Sequence, residues 1–298
     1  MKKQLKKTVK CVMASICLLS GISFNSSMIE AAFAQQANAK DYQNHVYKTQ
    51  IQYAVDHKLM WLFPDGNFRP EQPITQADLV AGLVNAKALT AGTAVEGLPA
   101  GHWAKIFYER AKKDGILDDV AINPNKVLTR EEASLLMNNA WKSMYSRLRD
   151  KRQVYSDIAV GNGWIPKKAG KFANGVPTST SDGLGTVTRG EEAAALYLLN
   201  KDVKDTKIGE EIALKFHNSL KSSNGYLVGT VPTMQGKDIR LIIRLKNQNV
   251  ESYYGGAVKV NASQVDYMAF SVKNSGQAKL LAYYTYNSGT NLTRTNSR

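Results

Sequence analysis

Between residues 40 and 200 the apolar positions return at helical intervals; beyond Lys201 they alternate. Three stretches set the first pattern: "PITQADLVAGLVNA" from Pro73, "VLTREEASLLMNNAW" from Val127 and "TVTRGEEAAALYLL" from Thr186. In each, a Pro/Gly/Asn-rich loop leads to a threonine, a short charged step and an apolar run. The threonines, Thr75, Thr129 and Thr188, are 54 and 59 residues apart, and Asp78, Glu132 or Glu191 follows three positions later. That is the spacing of a capping box: the hydroxyl accepts from an orphan backbone N–H of the first helical turn, while the carboxylate accepts from the threonine's own N–H. Three helix starts are therefore predicted. The second run is the best defined, with Ala133, Leu136, Met137, Ala140, Trp141 and Met144 at helical spacing.

A further helical pattern precedes each cap. Tyr47, Ile51, Ala54, Val55 and Leu59 form an apolar stripe in the first case, and Trp103, Phe107, Ala111 and Ile116 in the second. The third, "GWIPKKAGKFANGV", puts Trp164 at the place corresponding to Trp103, although Pro166 confines any helix there to its first turn. Each unit reads as helix, loop, helix. With roughly 50 to 60 residues, none can bury a core alone, so the three are expected to pack into one mainly α body.

After Lys201, "DTKIGEEIALKFHNSLKSS" reads as a separate helix with Ile208, Ile212, Phe216 and Leu220 on one face and Asn224-Gly225 as its stop. The runs "YLVGTV", "DIRLIIRLKN", "AVKVNA", "DYMAFSVKN" and "KLLAYYTYN" follow as strands. In the second, Ile239, Leu241, Ile243 and Leu245 alternate with Arg240, Arg244 and Lys246, giving one buried and one basic face. One helix and about five strands predict a small α+β domain with an antiparallel sheet over 203–298. Tyr253, Tyr254, Tyr283, Tyr284 and Tyr286 suit a sheet before they suit a binding face.

The first 39 residues change where this body is expected to reside. A lysine-rich start, "MKKQLKKTVK", an apolar "CVMASICLLSGISF" and the small-residue sites Ala32-Phe33-Ala34 and Ala37-Asn38-Ala39 have the form of a secretory signal peptide over 1–39. The apolar run is interrupted by serine and glycine and falls short of the roughly 20 residues that cross a bilayer, so no membrane contact is expected after cleavage. Both cysteines, Cys11 and Cys17, lie inside this segment, and Ile16 argues against lipid attachment at Cys17. Cysteine catalysis, disulfides and thiolate metal sites are thereby excluded from the mature chain.

The full sequence carries 39 Lys+Arg against 25 Asp+Glu, a net charge of +14, and loses five lysines and Glu30 on cleavage. From Lys40 to Asn200 the balance is 20 basic to 17 acidic residues, whereas Lys201 to Arg298 has 14 to 7. A basic exported surface suits polyanions, which outside a cell are wall polymers rather than nucleic acid.

"FPDGNFRPEQPIT", "GHWAKIFYERAKKDGIL" and the Thr-Arg-Glu-Glu and Thr-Arg-Gly-Glu helix starts together resemble S-layer homology repeats, modules that hold proteins on Gram-positive cell walls. The resemblance covers about residues 40 to 202, as repeats of about 40–92, 93–150 and 151–202. It implies a pseudo-threefold helical bundle made from one chain, with grooves that bind a secondary cell wall polysaccharide, commonly one carrying pyruvate ketals. The first repeat has Gln76 where the other two have Arg130 and Arg189.

An arginine beside the positive end of a helix dipole is disfavoured by about 0.3 to 1 kcal/mol. A ligand carboxylate arriving there would meet unpaired backbone N–H groups and a two-pronged guanidinium. The alternative is an intramolecular ion pair to an acid such as Asp157 or Asp119. Glycan-binding candidates are therefore Arg130 and Arg189. On the first alternative, removing either would leave stability unchanged or slightly raised. Trp103 and Trp164 are further candidates, either stacking on a sugar face or packing inward, with Trp61 and Trp141 expected in the core. Asp65 and Gly66 complete the set: Asp65-Gly66-Asn67 is first a turn, and the resemblance places the corresponding loop near the groove.

Catalysis finds little support. His45, His57, His102 and His217 include no i, i+4 pair or metal-binding context, there is no Gly-x-Ser-x-Gly motif, and no cofactor or metal site is indicated. The chain is expected to be a non-enzymatic surface protein of the cell wall or S-layer. A wall-associated hydrolase delivered by the repeats is the alternative. Protein recovered from the cell surface is expected to begin at Gln35 or Lys40 on N-terminal sequencing, and a chain beginning at Met1 would overturn the export reading.

Overall fold

The computed structural model describes residues 41–142, 154–287 and 294–296. Met144 and the expected signal segment, with Cys11 and Cys17, lie outside them. The described chain divides into two compact units, with the main division between Asn200 and Lys201.

In the first unit three short helices, α1 (Lys48–Asp56), α3 (Lys105–Asp114) and α5 (Tyr155–Gly161), each precede a loop and a longer capped helix. The capped helices are α2 (Gln76–Ala86), α4 (Arg130–Lys142) and α6 (Arg189–Ser219). The short helices stop in the same way. Lys58, Gly115 and Gly163 turn left-handed, with φ of 57°, 85° and 73°. The next residue's N–H then returns to a carbonyl five positions back: Leu59 to Ala54 at 2.8 Å, Ile116 to Ala111 at 2.9 Å and Trp164 to Ala159 at 2.8 Å. Ala54, Ala111 and Ala159 are all buried.

This register corrects the third segment. Its leading helix, α5, ends before Trp164, and the stretch expected to be helical instead carries the small hairpin β1 (Gly170–Lys171) and β2 (Pro177–Thr178). Trp164 therefore corresponds to Leu59 and Ile116, not to Trp103. It is buried, stacked on Trp141 with centroids 4.2 Å apart.

All three capping boxes form. The N–H of Asp78, Glu132 and Glu191 donates to the hydroxyl of Thr75, Thr129 and Thr188, and each threonine N–H donates to that carboxylate. Isolated antiparallel bridges join the chain just ahead of these starts: Pro73 to Thr188, Thr75 to Val127, and Thr129 to Thr186. The three helix starts are thus linked pairwise in a closed circuit.

Helix α6 is continuous through the point where two helices were expected. No proline interrupts "EEAAALYLLNKDVKDTKIGEEIALKF", and Gly209 alone does not stop a helix. Its later part belongs to the second unit, where Ile212, Ala213 and Phe216 share a core with two antiparallel sheets. One sheet has the order β3-β4-β7 (Lys221–Ser223, Tyr226–Val231, Gly256–Asn261). The other has the order β10-β9-β8-β5-β6 (Arg294–Asn296, Leu280–Asn287, Val265–Asn274, Lys237–Leu245, Val250–Tyr253). Ile239, Leu241, Ile243 and Leu245 face this core as their alternation predicts. Asn224-Gly225 does not end the helix. With φ of 49° and 81° the pair forms the two-residue turn between β3 and β4, where positive φ at both positions matches strand twist.

One buried group departs from its counterparts. Glu192 occupies the place held by Leu79 and Ala133 in the other capped helices, is 0 % exposed, and neither carboxyl oxygen has a hydrogen-bond partner. Gly82 makes the room: a Cβ there would lie 2.9 Å from Glu192 Oε1 and 2.5 Å from Leu196 Cδ1. Burial pushes the carboxyl up to about 8; Arg189 opposes this and Asp78 adds to it. The folded state therefore holds a proton that the unfolded chain releases from about 4.5 upward. Stability should decline as pH rises from about 4.5 to about 8, by on the order of 3 to 5 kcal/mol. Chemical denaturation across this range is expected to show the decline, and Glu192→Gln is expected to flatten it.

Candidate functional site

The starts of α2, α4 and α6 carry the residues singled out for ligand binding, and their geometry decides what those residues can do. A helix cannot satisfy its own first N–H groups. Here the neighbouring segment's loop does so. In α4, Arg130 N–H donates to Gly185 O (2.7 Å) and Glu131 N–H to Gly183 O (3.1 Å). In α6, Arg189 N–H donates to Gln72 O (2.9 Å) and Gly190 N–H to Pro70 O (2.8 Å). In α2, Gln76 N–H donates to Lys126 O (2.9 Å) and Ala77 N–H to Pro124 O (3.0 Å). The next donor in each helix is held by its threonine. The expectation that a ligand carboxylate would find unpaired N–H groups here is therefore wrong.

The side chains at the same positions follow the backbone into the same loops. Arg130 is 0 % exposed; its Nε donates to Ser181 O (3.0 Å), one terminal nitrogen to Pro166 O, and the other to both Glu191 oxygens (3.2 and 3.3 Å). Its acid partner is thus Glu191, not Asp157 or Asp119. Arg189, also buried, donates from Nε to Phe68 O (2.8 Å) and from a terminal nitrogen to Trp61 O (2.7 Å). Its guanidinium lies 4.7 Å from the ring centroids of both Phe63 and Phe68. Gln76 makes the uncharged version of this clamp: its amide donates to Ala121 O and accepts from Tyr108 Oη and Asn123 N, all at 2.8 Å. Burial with these acceptors favours the other alternative, in which the arginines hold the fold together.

Asp65 and Gly66 sit in the loop that Arg189 grips. Gly66 has φ 81°, and its N–H donates to Phe63 O at 2.8 Å. Asp65 accepts from Asn67 N–H (3.0 Å) and from the Arg69 guanidinium (2.8 Å); the Arg69 hydrogen bond is the main cause that holds its carboxyl down to about 2. Asp41 fixes the far side of the loop by accepting from Phe68 N–H (3.0 Å) and Arg69 N–H (2.5 Å). Arg69, not singled out from the sequence, is the exposed cation of this loop and lies over the Phe63 ring at 4.0 Å.

The tryptophans reverse part of the expectation. Trp164 is in the core, whereas Trp103 and Trp61 are 52 % and 43 % exposed. They belong to one aromatic cluster. Phe107 stands between them, with centroids 6.0 Å from Trp61 and 6.1 Å from Trp103, and His102 stacks on Trp103 at 5.9 Å. Half-exposed aromatic faces of this kind suit stacking on a sugar ring. Trp61 was missed because periodicity placed it beside the buried Leu59 and Met60, although its own side chain points out of the stripe.

Comparison with known proteins connects the first segment to a domain family. Residues 40–80 match the model of the S-layer homology domain, and the chain therefore carries such a domain. Over 165 residues, half of this chain, it is 28 % identical to the surface-layer 125 kDa protein of Lysinibacillus sphaericus. The match spans 14 % of that protein's length. Among the described residues no helix is long and apolar enough to cross a membrane.

Arg130→Ala removes a buried cation and takes its donor from two carbonyls and its ion-pair partner from Glu191, which keeps the Thr188 N–H. The expected outcome is a loss of about 3 kcal/mol, measured by chemical denaturation. Trp103→Ala, made at an exposed position, should cost less than about 1 kcal/mol in the same measurement.

Proposed function

We propose that the protein is held non-covalently on the cell wall by three S-layer homology repeats, about 40–92, 93–150 and 151–202, arranged around a pseudo-threefold axis. The ligand in this reading is an anionic secondary wall polysaccharide bearing pyruvate ketals. The chain is exported and non-catalytic, and the unit beyond Lys201 is the part it displays. One observation carries the proposal: the matched domain at 40–80 lies in the first of three segments that share a left-handed helix stop, a capping box and a clamp into the next loop. A single matched segment would leave the other two unexplained, whereas their common geometry argues that all three are the same module.

The contacts to glycan in this reading fall on the exposed rings of Trp61 and Trp103 and on the Arg69 guanidinium of the preceding loop, which an incoming carboxylate would share with Asp65. Arg130 then acts by holding its loop in place. Arg189 does the same for the loop of Asp65 and Gly66, and Trp164 serves the core. A sugar face can stack on an indole, while a ketal carboxylate can pair with a guanidinium in a charge-assisted contact.

The test is pelleting of the purified chain with wall preparations, with released sugars and peptides measured in the same tubes. Trp103→Ala and Arg69→Ala are each expected to weaken pelleting roughly threefold to tenfold while lowering the melting temperature by no more than a few degrees. Chemical removal of pyruvate from the wall should abolish the Arg69 effect. Parent-like pelleting by both variants would overturn the assignment of the site, and release of wall fragments would establish the hydrolase reading instead.

A further inference from the structure

In the second unit, strand β5 begins at Lys237 and strand β8 ends at Asn274, and these two residues are cross-strand partners. The Lys237 ammonium nitrogen contacts Asn274 Oδ1 directly. Asp205, on α6, reaches both: one carboxylate oxygen accepts from Asn274 Nδ2 at 3.0 Å and the other lies 3.5 Å from Lys237 Nζ. Gln277 Oε1 is a second acceptor for Nδ2, at 3.3 Å. The lysine side chain is only 12 % exposed and that of Asp205 30 %. Backbone pairing closes this end of the ladder, with Ser275 N–H donating to Gly236 O at 3.1 Å.

An ion pair needs only the lysine and the aspartate. The carboxamide between them adds an electrophilic carbon next to the amine, and the same carboxylate touches both the nucleophile and the group that would leave. We propose that Lys237 and Asn274 become joined by an intramolecular isopeptide bond, formed by the folded chain itself with Asp205 carrying the proton. Asp205 takes a proton from Nζ, and the freed lone pair attacks Cγ of Asn274. The Nζ–Cγ bond forms, Asp205 returns the first proton to Nδ2 and takes a second from Nζ, and the Cγ–Nδ2 bond breaks to release ammonia, which carries that second proton away as ammonium. Lysine ammonium plus carboxamide gives a secondary amide plus ammonium, with no oxidant or reductant required.

Holding amine and amide side by side substitutes for the high reactant concentration such an aminolysis otherwise needs; well-oriented intramolecular reactions reach effective molarities of about 10⁵ to 10⁸ M. The product would tie the start of β5 to the end of β8 covalently. It would do so in a chain whose two cysteines both lie in the first 39 residues, where they cannot staple this unit.

The experiment is intact-mass spectrometry of the purified full chain, with its N-terminus fixed by sequencing, followed by proteolysis. The expected result is a mass below that of the sequence by one ammonia and a branched peptide linking Lys237 to Asn274. Asp205→Ala is expected to restore the full mass and lose the branch. A parent chain of full sequence mass overturns the proposal. So does an ammonia loss found on a linear peptide, which would be a succinimide at Asn274-Ser275. A branch that survives in Asp205→Ala overturns the role given to the carboxylate.

Discussion

The first N–H groups of an α-helix must find partners outside it, and the first unit is organised around how three helices meet that requirement. Each of α2, α4 and α6 gives its first two backbone donors to carbonyls in another segment's loop, and only the third to its own threonine. The residue at the first helical position sends its side chain after them. Loop and helix are therefore mutually defining. The loop supplies acceptors that would otherwise be buried without donors, and the helix start fixes the loop's shape. This is why arginine is tolerated beside a positive helix end: several backbone carbonyls, and for Arg130 a carboxylate, outweigh a dipole term of about 0.3 to 1 kcal/mol.

The same arrangement explains what reached the surface. Arg189 holds the carbonyls of Trp61 and Phe68, so the chain between them bows outward. Asp65 and Gly66 form its turn, Arg69 is left exposed, and the Trp61 ring lies against Phe107 rather than in the core. A site of this kind is a by-product of where backbone acceptors are needed.

Much of this was legible in the sequence, and the misses have physical causes. Capping boxes are local, involving residues three apart, and all three were found. The strands of the second unit were found where apolar alternation was strong, as in β5, while β3 and β6, at three and four residues, are too short to show a period. The clamp partners of Arg130 and Arg189 are backbone carbonyls 36 to 128 residues away, which no side-chain pattern reveals. Trp61 was misplaced, and Trp103 and Trp164 were left between two roles, because a tryptophan matches a helical stripe whether it closes the core or borders it. The continuity of α6 was missed because a change in apolar period was taken to require a break, whereas one helix can serve two cores with different stretches of its length.

The pairwise bridges ahead of the helix starts also constrain the order of events in time. Pro73 pairs with Thr188, and the first segment's loop receives the donors of Arg189 and Gly190. A chain made from its N-terminus therefore has the first segment complete long before the residues that close it exist. Until then the carbonyls of Trp61, Phe68, Pro70 and Gln72 must be hydrated, and the Phe68 ring lacks the cation it later faces. Closure is a late event of high sequence separation, which slows folding relative to its local helices. A nascent chain stalled before residue 188 would lack the contacts that lock its first segment, and helices of 9 to 13 residues depend on such packing for most of their stability.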